Sequence, residues 1–283
     1  MPENTRGVKE AALIWTCLVS GPKGAQGLPM GRDPVNLCVK LPPILKAIQM
    51  SDPEYERDDM VEPPFNPLPR SVIILAAVIL GIETLFTLAS QGFIGGPDAI
   101  GWRLNAVRNW AFADSIWEWM LRNQTFPPEQ IVRLLSYTLI HISFTHAMFV
   151  VVFVLALGKL VSEVFGSIKM LVVFFLSAAI AAAGYGLILN EDAPLVGGYP
   201  GVYGLIGAYT FVMWINLAAA GENQARAFTL IGIFLGLQLV FAVFLNGPRD
   251  WVADLIGFVV GFLLSFVLVP GGWQRILDRL RQR

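Results

Sequence analysis

Six apolar segments of membrane length constrain the fold of this chain more than any other feature. A bilayer core is crossed by about 20 mainly apolar residues in a helix, and a helix satisfies its own backbone polar groups inside lipid. The segments are Ser71–Ile94, His146–Val164, Ile168–Leu189, Gly201–Ala218, Ala227–Leu245 and Trp251–Val269. They predict an all-α membrane protein, a bundle of six transmembrane helices with the lipid bilayer as its partner.

The composition of the chain agrees with a membrane protein. Hydrophobic residues make up 55% of the 283 residues and charged residues only 14%, whereas soluble domains carry about 25% charge. The net charge of −1 argues against nucleic acid as a partner. Cys17 and Cys38 both precede the first apolar segment, and they form neither a disulfide framework nor a zinc site.

The regions outside the apolar segments define the predicted domain organisation. We predict a disordered N-terminal segment over residues 1–66, a six-helix membrane domain over residues 67–270 and a basic cytoplasmic tail over residues 271–283. The N-terminal segment is rich in Pro, Gly and charge and has no sustained period, as in disordered chains. We interpret residues 1–49 as a start assigned too early, with Met50 as the true first residue. The apolar run Ala11–Val19 leaves a signal-peptide core as the alternative.

Basic residues near the segment ends predict that both termini lie in the cytoplasm. The tail and two loops on its side carry Arg275, Arg279, Arg281, Arg283, Lys159, Lys169 and Arg226. The opposite loop at 190–192 has no basic residue. The arginines of the long first loop count against this orientation, but long loops weigh less in the rule. We expect a multi-pass protein of the bacterial inner (plasma) membrane.

The first loop, about residues 95–133, carries aromatic residues among charges at near-helical spacing. They are Trp102, Trp110, Phe112, Trp117 and Trp119. Tryptophan is enriched at the membrane–water boundary, so the pattern predicts one or two amphipathic helices in the outer interface. The alternative is an ordinary folded loop with buried aromatic side chains.

Glycines predict that the fourth and sixth segments pack against each other. Gly201, Gly204 and Gly207 lie along one side of the fourth segment, and Gly257 and Gly261 form a GxxxG pair in the sixth. In lipid, close helix approach depends on such small residues. The contact would bring the start of the fourth segment beside the start of the sixth; glycine-rich helices with other partners are the alternative.

Six motifs in the same order resemble those of the rhomboid family of intramembrane serine proteases, over about residues 70–270. The family has a Trp-Arg pair, TxxxHxxxxH, a Gly–Glu–Gly turn, a Ser-Ala dipeptide, GxSGxxxGL and AHxxGxxxG. The corresponding residues here are Val132-Arg133, His141 with His146, Gly158 with Glu163 and Gly166, Ser177-Ala178, Gly197–Leu205 and Ala253–Gly261.

The resemblance implies a fold without its catalytic groups. By resemblance, the nucleophilic serine is Tyr199, the histidine base is Asp254, and the oxyanion-binding histidine and asparagine are His146 and Val150. A phenol, with a pKa of about 10, is a poor nucleophile for an amide. The family's next glycine is Pro200, which suits a helix start but removes a backbone N–H where an oxyanion hole needs donors.

Three functions stay open at this point. The chain resembles an inactive, bacterial-type rhomboid, a pseudoprotease that binds transmembrane segments of client proteins and needs no cofactor. The second function is an active intramembrane serine-type endopeptidase with a non-standard nucleophile, such as Ser136 or Ser143. The third is a structural subunit or channel on the same bundle. A metal site from His141, His146 and Asp254 is conceivable, but histidines five apart lie on different helix faces, which favours structural roles.

Asp254 requires a partner, because ionisable residues inside a membrane are costly. We hypothesise that the Tyr199 hydroxyl or His146 forms a hydrogen bond to Asp254 and locks the fourth and sixth helices together. The alternative is that Asp254 reaches water near Arg249 and Asp250.

Overall fold

A computed structural model of the chain describes residues 67–189, 193–244 and 249–269, without the side chains of Leu239 and residues 241–243. Within these ranges the chain is helical and contains no strand, apart from one isolated bridge between Phe112 and Leu195. The α-helices are α1 (Arg70–Ser90), α2 (Trp102–Trp110), α3 (Asp114–Asn123), α4 (Pro128–Ile131), α5 (Arg133–Ser136), α6 (Phe144–Phe165), α7 (Ser167–Ile188), α8 (Tyr199–Ala220), α9 (Thr229–Phe244) and α10 (Trp251–Leu268). Short 3₁₀ helices cover Pro97–Gly101, Tyr137–Leu139 and Gln224–Phe228.

Five of these helices are long and apolar enough to cross a membrane: α1, α6, α7, α8 and α10. The predicted all-α membrane class is confirmed. Helix α9 coincides with the fifth predicted segment but has 16 residues, and residues 245–248 after it lie outside the described ranges. A sixth crossing therefore stays a prediction. The predicted N-terminal segment 1–66 and tail 271–283 also lie outside these ranges.

The predicted ends of the segments agree with the helices to within two residues, with one exception. The first segment was expected to reach Ile94, but α1 ends at Ser90. The reason is local: Gly92 and Gly95 adopt positive φ angles of 77° and 75°, a backbone conformation that continues no right-handed helix. Ser143 begins α6, because its side chain accepts a hydrogen bond from the His146 backbone N–H, the usual role of an N-cap serine.

Helices α8 and α10 touch through their glycines, as predicted. A Cβ atom on Gly261 would collide with the Gly204 carbonyl oxygen, and one on Gly257 would collide with the carbonyl oxygen of Pro200. A Cβ on Gly207 would meet the Phe258 carbonyl oxygen. The backbones of the two helices therefore pack directly against each other, as small residues permit in lipid.

The described residues fall into two compact units. The larger contains residues 67–210 and 229–265, and the smaller contains residues 211–228 and 266–269. The core of the larger unit is a cluster of buried side chains: Phe112, Tyr137, Ala178, Ala181, Ala182, Tyr185, Leu195 and Ala253. In the smaller unit the Phe211 and Phe266 rings meet edge to face, with centroids 4.6 Å apart.

The first loop folds into helices, as predicted, but its aromatic side chains divide between two environments. Trp102, Trp110 and Trp119 are 41%, 50% and 49% exposed, whereas Phe112 is buried and Trp117 is half-buried. The exposed tryptophans fit the interfacial interpretation, and the buried Phe112 fits the folded-loop alternative. That the exposed set lies in the outer membrane interface stays a prediction.

Candidate functional site

The residues of interest converge in the larger unit, where α6, α8 and α10 begin. His146 is in the first turn of α6, Tyr199 begins α8, and Asp254 is in the first turn of α10. The His146 and Tyr199 rings are stacked, with centroids 5.0 Å apart and an interplanar angle of 25°. Asp254 lies close enough for its charge to act on the Tyr199 phenol. The sequence prediction that these positions share one end of the bundle is therefore confirmed.

Two glycines make room for this cluster. Gly197 has a φ of +98°, and a Cβ atom there would lie 2.6 Å from Cε1 of His146. A Cβ on Gly198 would lie 2.9 Å from a methyl group of Val150, whose side chain is fully buried. Val150 thus fills space between α6 and the turn before α8, and it offers no polar atom there.

His141 lies buried beside the turn that precedes α8. Its side chain is fully buried, and its Nε2 accepts a hydrogen bond from the Gly198 backbone N–H at 3.4 Å. Burial lowers the pKa of His141 to about 3, with smaller contributions from the charges of His146 and Arg103. The imidazole is therefore neutral at physiological pH and acts as an acceptor. His141 precedes α6 rather than lying on it, so the expected helix-face separation does not apply, and its ring meets the His146 ring edge-on at 5.2 Å.

Asp254 is bound by a residue other than the two that we hypothesised. Its Oδ2 accepts a hydrogen bond of 2.7 Å from Nε2 of Gln238 on α9, and its Oδ1 has no partner within the described residues. Tyr199 does not lock it, because the Tyr199 ring stacks on His146 instead. The water-exposed alternative is also wrong, since Asp254 is only 2% exposed. The lock therefore joins α10 to α9, not to α8.

A second tyrosine, Tyr137, lies near the Asp254 carboxylate. The Tyr137 hydroxyl donates a hydrogen bond of 2.8 Å to the Ala178 carbonyl. Burial raises the pKa of the Tyr137 phenol well above its ordinary value, and the Asp254 carboxylate raises it further. The Tyr137 phenol is therefore not easily ionised.

The two serines weighed as substitute nucleophiles have structural partners. The Ser136 hydroxyl donates to the Trp110 carbonyl at 2.7 Å, and the Ser143 hydroxyl caps α6 by accepting from the His146 backbone N–H at 3.2 Å. Neither one lies in a glycine-rich turn. Among the residues that the structure describes, no group of three or more His, Cys, Asp or Glu residues is placed to hold a metal ion.

Two arginines hold the first loop in place. Arg133 donates to the backbone carbonyls of Ala111 and Arg108 at 2.9 and 3.0 Å. Arg103 reaches α1, where its guanidinium forms a two-bond pair with the Glu83 carboxylate at 2.7 and 3.1 Å. Sequence reasoning missed Glu83 and Arg103, although a single carboxylate in an apolar segment is itself a signal for a buried partner.

Arg103 also connects this pair to the cluster around Tyr199. Its Nη1 donates to the His141 carbonyl at 2.8 Å, and His141 in turn contacts Gly198 and His146. Glu163, another residue of the family motif, forms an exposed pair with Lys159 at 3.9 Å and lies on the last turn of α6.

Comparison with known proteins agrees with this architecture. A family model described as the Rhomboid domain matches residues 128–271, just over half of the chain. The "Putative rhomboid protease YdcA" of Bacillus subtilis (strain 168) is 28% identical over 140 residues, which cover 48% of this chain and 67% of that relative. The "Rhomboid protease GlpG" of Haemophilus influenzae is 27% identical over 142 residues, 49% of this chain and 70% of that relative.

Proposed function

The chain belongs to the rhomboid family of membrane proteins, and we propose that it is a non-catalytic member that binds transmembrane segments of client proteins. One observation carries the proposal. Tyr199, at the position that resembles the family's nucleophile, stacks its ring on His146. Asp254, at the position that resembles the base, accepts a hydrogen bond from Gln238.

Proteolysis by this fold needs a nucleophile within hydrogen-bond reach of a base. The chain has only two histidines. His141 is buried and accepts from the Gly198 backbone, and the His146 ring faces a phenol rather than a serine. Removing both members of a catalytic unit leaves only the residual rate that binding and oxyanion contacts provide, and Val150 supplies no oxyanion donor.

Client binding is the function that such a bundle retains when its chemistry is absent. The fold presents apolar helices to the bilayer. By analogy with the family fold, a client segment would enter through the groove between α6 and α9. We also propose that the protein lies in the bacterial inner membrane with both termini in the cytoplasm, because basic residues concentrate on that side.

The test is a paired measurement on the purified, full-length chain in lipid vesicles. A single-span membrane protein is incubated with it, with the rhomboid protease of Haemophilus influenzae as the positive control, and a fluorophosphonate probe is applied to both. We expect photo-crosslinking of the intact span, with no cleavage and no serine labelling. Cleavage together with labelling of a mapped serine would contradict the proposal and favour an active peptidase.

A further inference from the structure

Asp254 has a buried carboxylate oxygen without a hydrogen-bond partner among the described residues, and this suggests what kind of client the protein binds; the inference rests on the proposed function. We propose that Asp254 recognises client transmembrane segments that carry a lysine or arginine inside the bilayer, and that Gln238 occupies the carboxylate until such a segment binds.

Asp254 has no cationic partner in the described ranges. Its side chain is 2% exposed, and its hydrogen-bond donor is the neutral amide of Gln238. The neighbouring charge that acts on it, Asp250, has the same sign. The ion pairs described are Arg103–Glu83, Arg122–Glu118, Lys159–Glu163 and Arg226–Glu222. An unpaired carboxylate in a membrane span is either costly or functional.

The hydrogen bond between Gln238 and Asp254 satisfies the two side chains only in part. Oδ1 of Asp254 and Oε1 of Gln238 are both buried without a partner, and a buried acceptor without a donor is unfavourable. A lysine ammonium offers three donors and an arginine guanidinium five. Either cation could donate to both carboxylate oxygens and would form an ion pair with Asp254 in its ionised form.

Helix α9 carries the donor to Asp254, and most of its described side chains are exposed or half-buried. Among them only Ile231 is buried, and Cβ atoms on Gly232 and Gly236 would meet nothing within 4 Å. Phe234 meets Phe153 of α6 at 5.3 Å and Tyr203 of α8 at 6.4 Å, in both cases edge to face. A movement of α9 that withdraws Gln238 would release the carboxylate.

The position of Asp254 limits where the client's cation lies. Asp254 is the fourth residue of α10, about 5 Å along the axis from the start of that helix. A basic residue in the client should therefore bind best about one helical turn inside the end of its span, on the membrane side where α10 begins. A cation at the centre of the span is too deep, and it should bind no better than a leucine.

The experiment measures binding of designed peptides to the full-length chain in phosphatidylcholine vesicles. Each peptide has a span of about 20 leucine and alanine residues, and one position near the end of the span is Lys, Gln, Glu or Leu. We expect the Lys peptide to bind about tenfold more tightly than the Leu peptide and the Glu peptide to bind no better than the Leu peptide. Equal affinity for the Lys and Leu peptides would overturn the proposal, even in the unmodified protein alone.

Variants of the protein test whether the preference for the Lys peptide depends on the Asp254 carboxylate. Asp254→Asn should abolish the preference for the Lys peptide over the Leu peptide, whereas Asp250→Asn, the matched control, should keep it. Gln238→Leu should strengthen binding of the Lys peptide, because the competing donor is gone. A preference that survives Asp254→Asn would overturn the proposal. Failure of every peptide to bind, the Leu peptide included, would instead contradict the proposed client-binding function.

Discussion

Two buried carboxylates in membrane-spanning helices have opposite environments. Glu83 on α1 is 1% exposed and holds a two-bond pair with Arg103, whereas Asp254 on α10 is 2% exposed and receives one bond from a neutral amide. The first carboxylate is neutralised inside the chain and fixes the first loop to α1. The second has no cation within the described residues. We infer from this contrast that the first carboxylate serves the fold and that the second is available to a partner.

The largest effect is expected where the internal pair is broken. Glu83→Ala leaves the Arg103 guanidinium without its counter-charge, and loss of one partner of a buried pair costs about 3 kcal/mol of unfolding free energy. Reversible unfolding in mixed micelles measures it. Glu118→Ala, which breaks the exposed pair with Arg122, is the matched control and should cost under about 1 kcal/mol. Equal losses for the two variants would show that the Glu83 pair is no more stabilising than a surface pair.

His141, whose backbone carbonyl accepts a hydrogen bond from Arg103, should make the stability of the protein depend on pH. His141 has a folded pKa of about 3 against about 6.5 when unfolded, so the unfolded chain binds the proton more readily. The contribution of neutral His141 to the free energy of unfolding is therefore fully present above the unfolded pKa. It falls as the pH drops below about 6.5, by about 2 kcal/mol at pH 5. Unfolding at pH 7.5 and pH 5 measures it. In His141→Gln the difference between the two pH values should shrink by that amount, and an unchanged difference would contradict the assignment.

A smaller effect is expected at the second carboxylate. Gln238→Ala removes one hydrogen bond and leaves Oδ2 of Asp254 without its donor, which should cost about 1 kcal/mol of unfolding free energy. A loss as large as that of Glu83→Ala would mean that Asp254 is a structural anchor like Glu83, and the distinction between the two carboxylates would fail.

The smallest effect is expected for Tyr199→Phe. Within the described residues the Tyr199 ring stacks on His146, and its hydroxyl does not bond to Asp254, so removal of the hydroxyl should change stability by less than about 0.5 kcal/mol. Thermal unfolding in detergent compares this variant with Gln238→Ala. A greater loss for Tyr199→Phe would restore the hypothesis that Tyr199 locks α8 to α10.

The features that sequence predicted correctly depend on local patterns. Apolar length placed the long helices α1, α6, α7, α8 and α10, and small residues at Gly204, Gly257 and Gly261 predicted the contact between α8 and α10, because a glycine stripe identifies the face through which a helix packs. That contact in turn brought Tyr199 and Asp254 to one end of the bundle. The end of α1 was missed because Gly92 and Gly95 stop the helix inside an apolar run.

The features that sequence did not predict depend on rotation of helices about their axes. Gln238 is a polar residue in an apolar segment, but its pairing with Asp254 requires α9 to turn that side chain toward α10, which no local pattern specifies. Arg103 and Glu83 are 20 residues apart, in a loop and an apolar segment, so their pairing follows only from the folded loop. His141 was treated as helical, and its position before α6 depends on the Ser143 cap.

The most direct test of the central claim is photo-crosslinking of the Lys peptide to the full-length protein in vesicles, followed by mass spectrometry of the adduct. The predicted result is an uncut peptide joined beside Asp254, in unmodified protein and not in Asp254→Asn. A cleaved peptide, or an uncut peptide joined equally well in both proteins, would contradict the claim that the site binds basic transmembrane segments without cutting them.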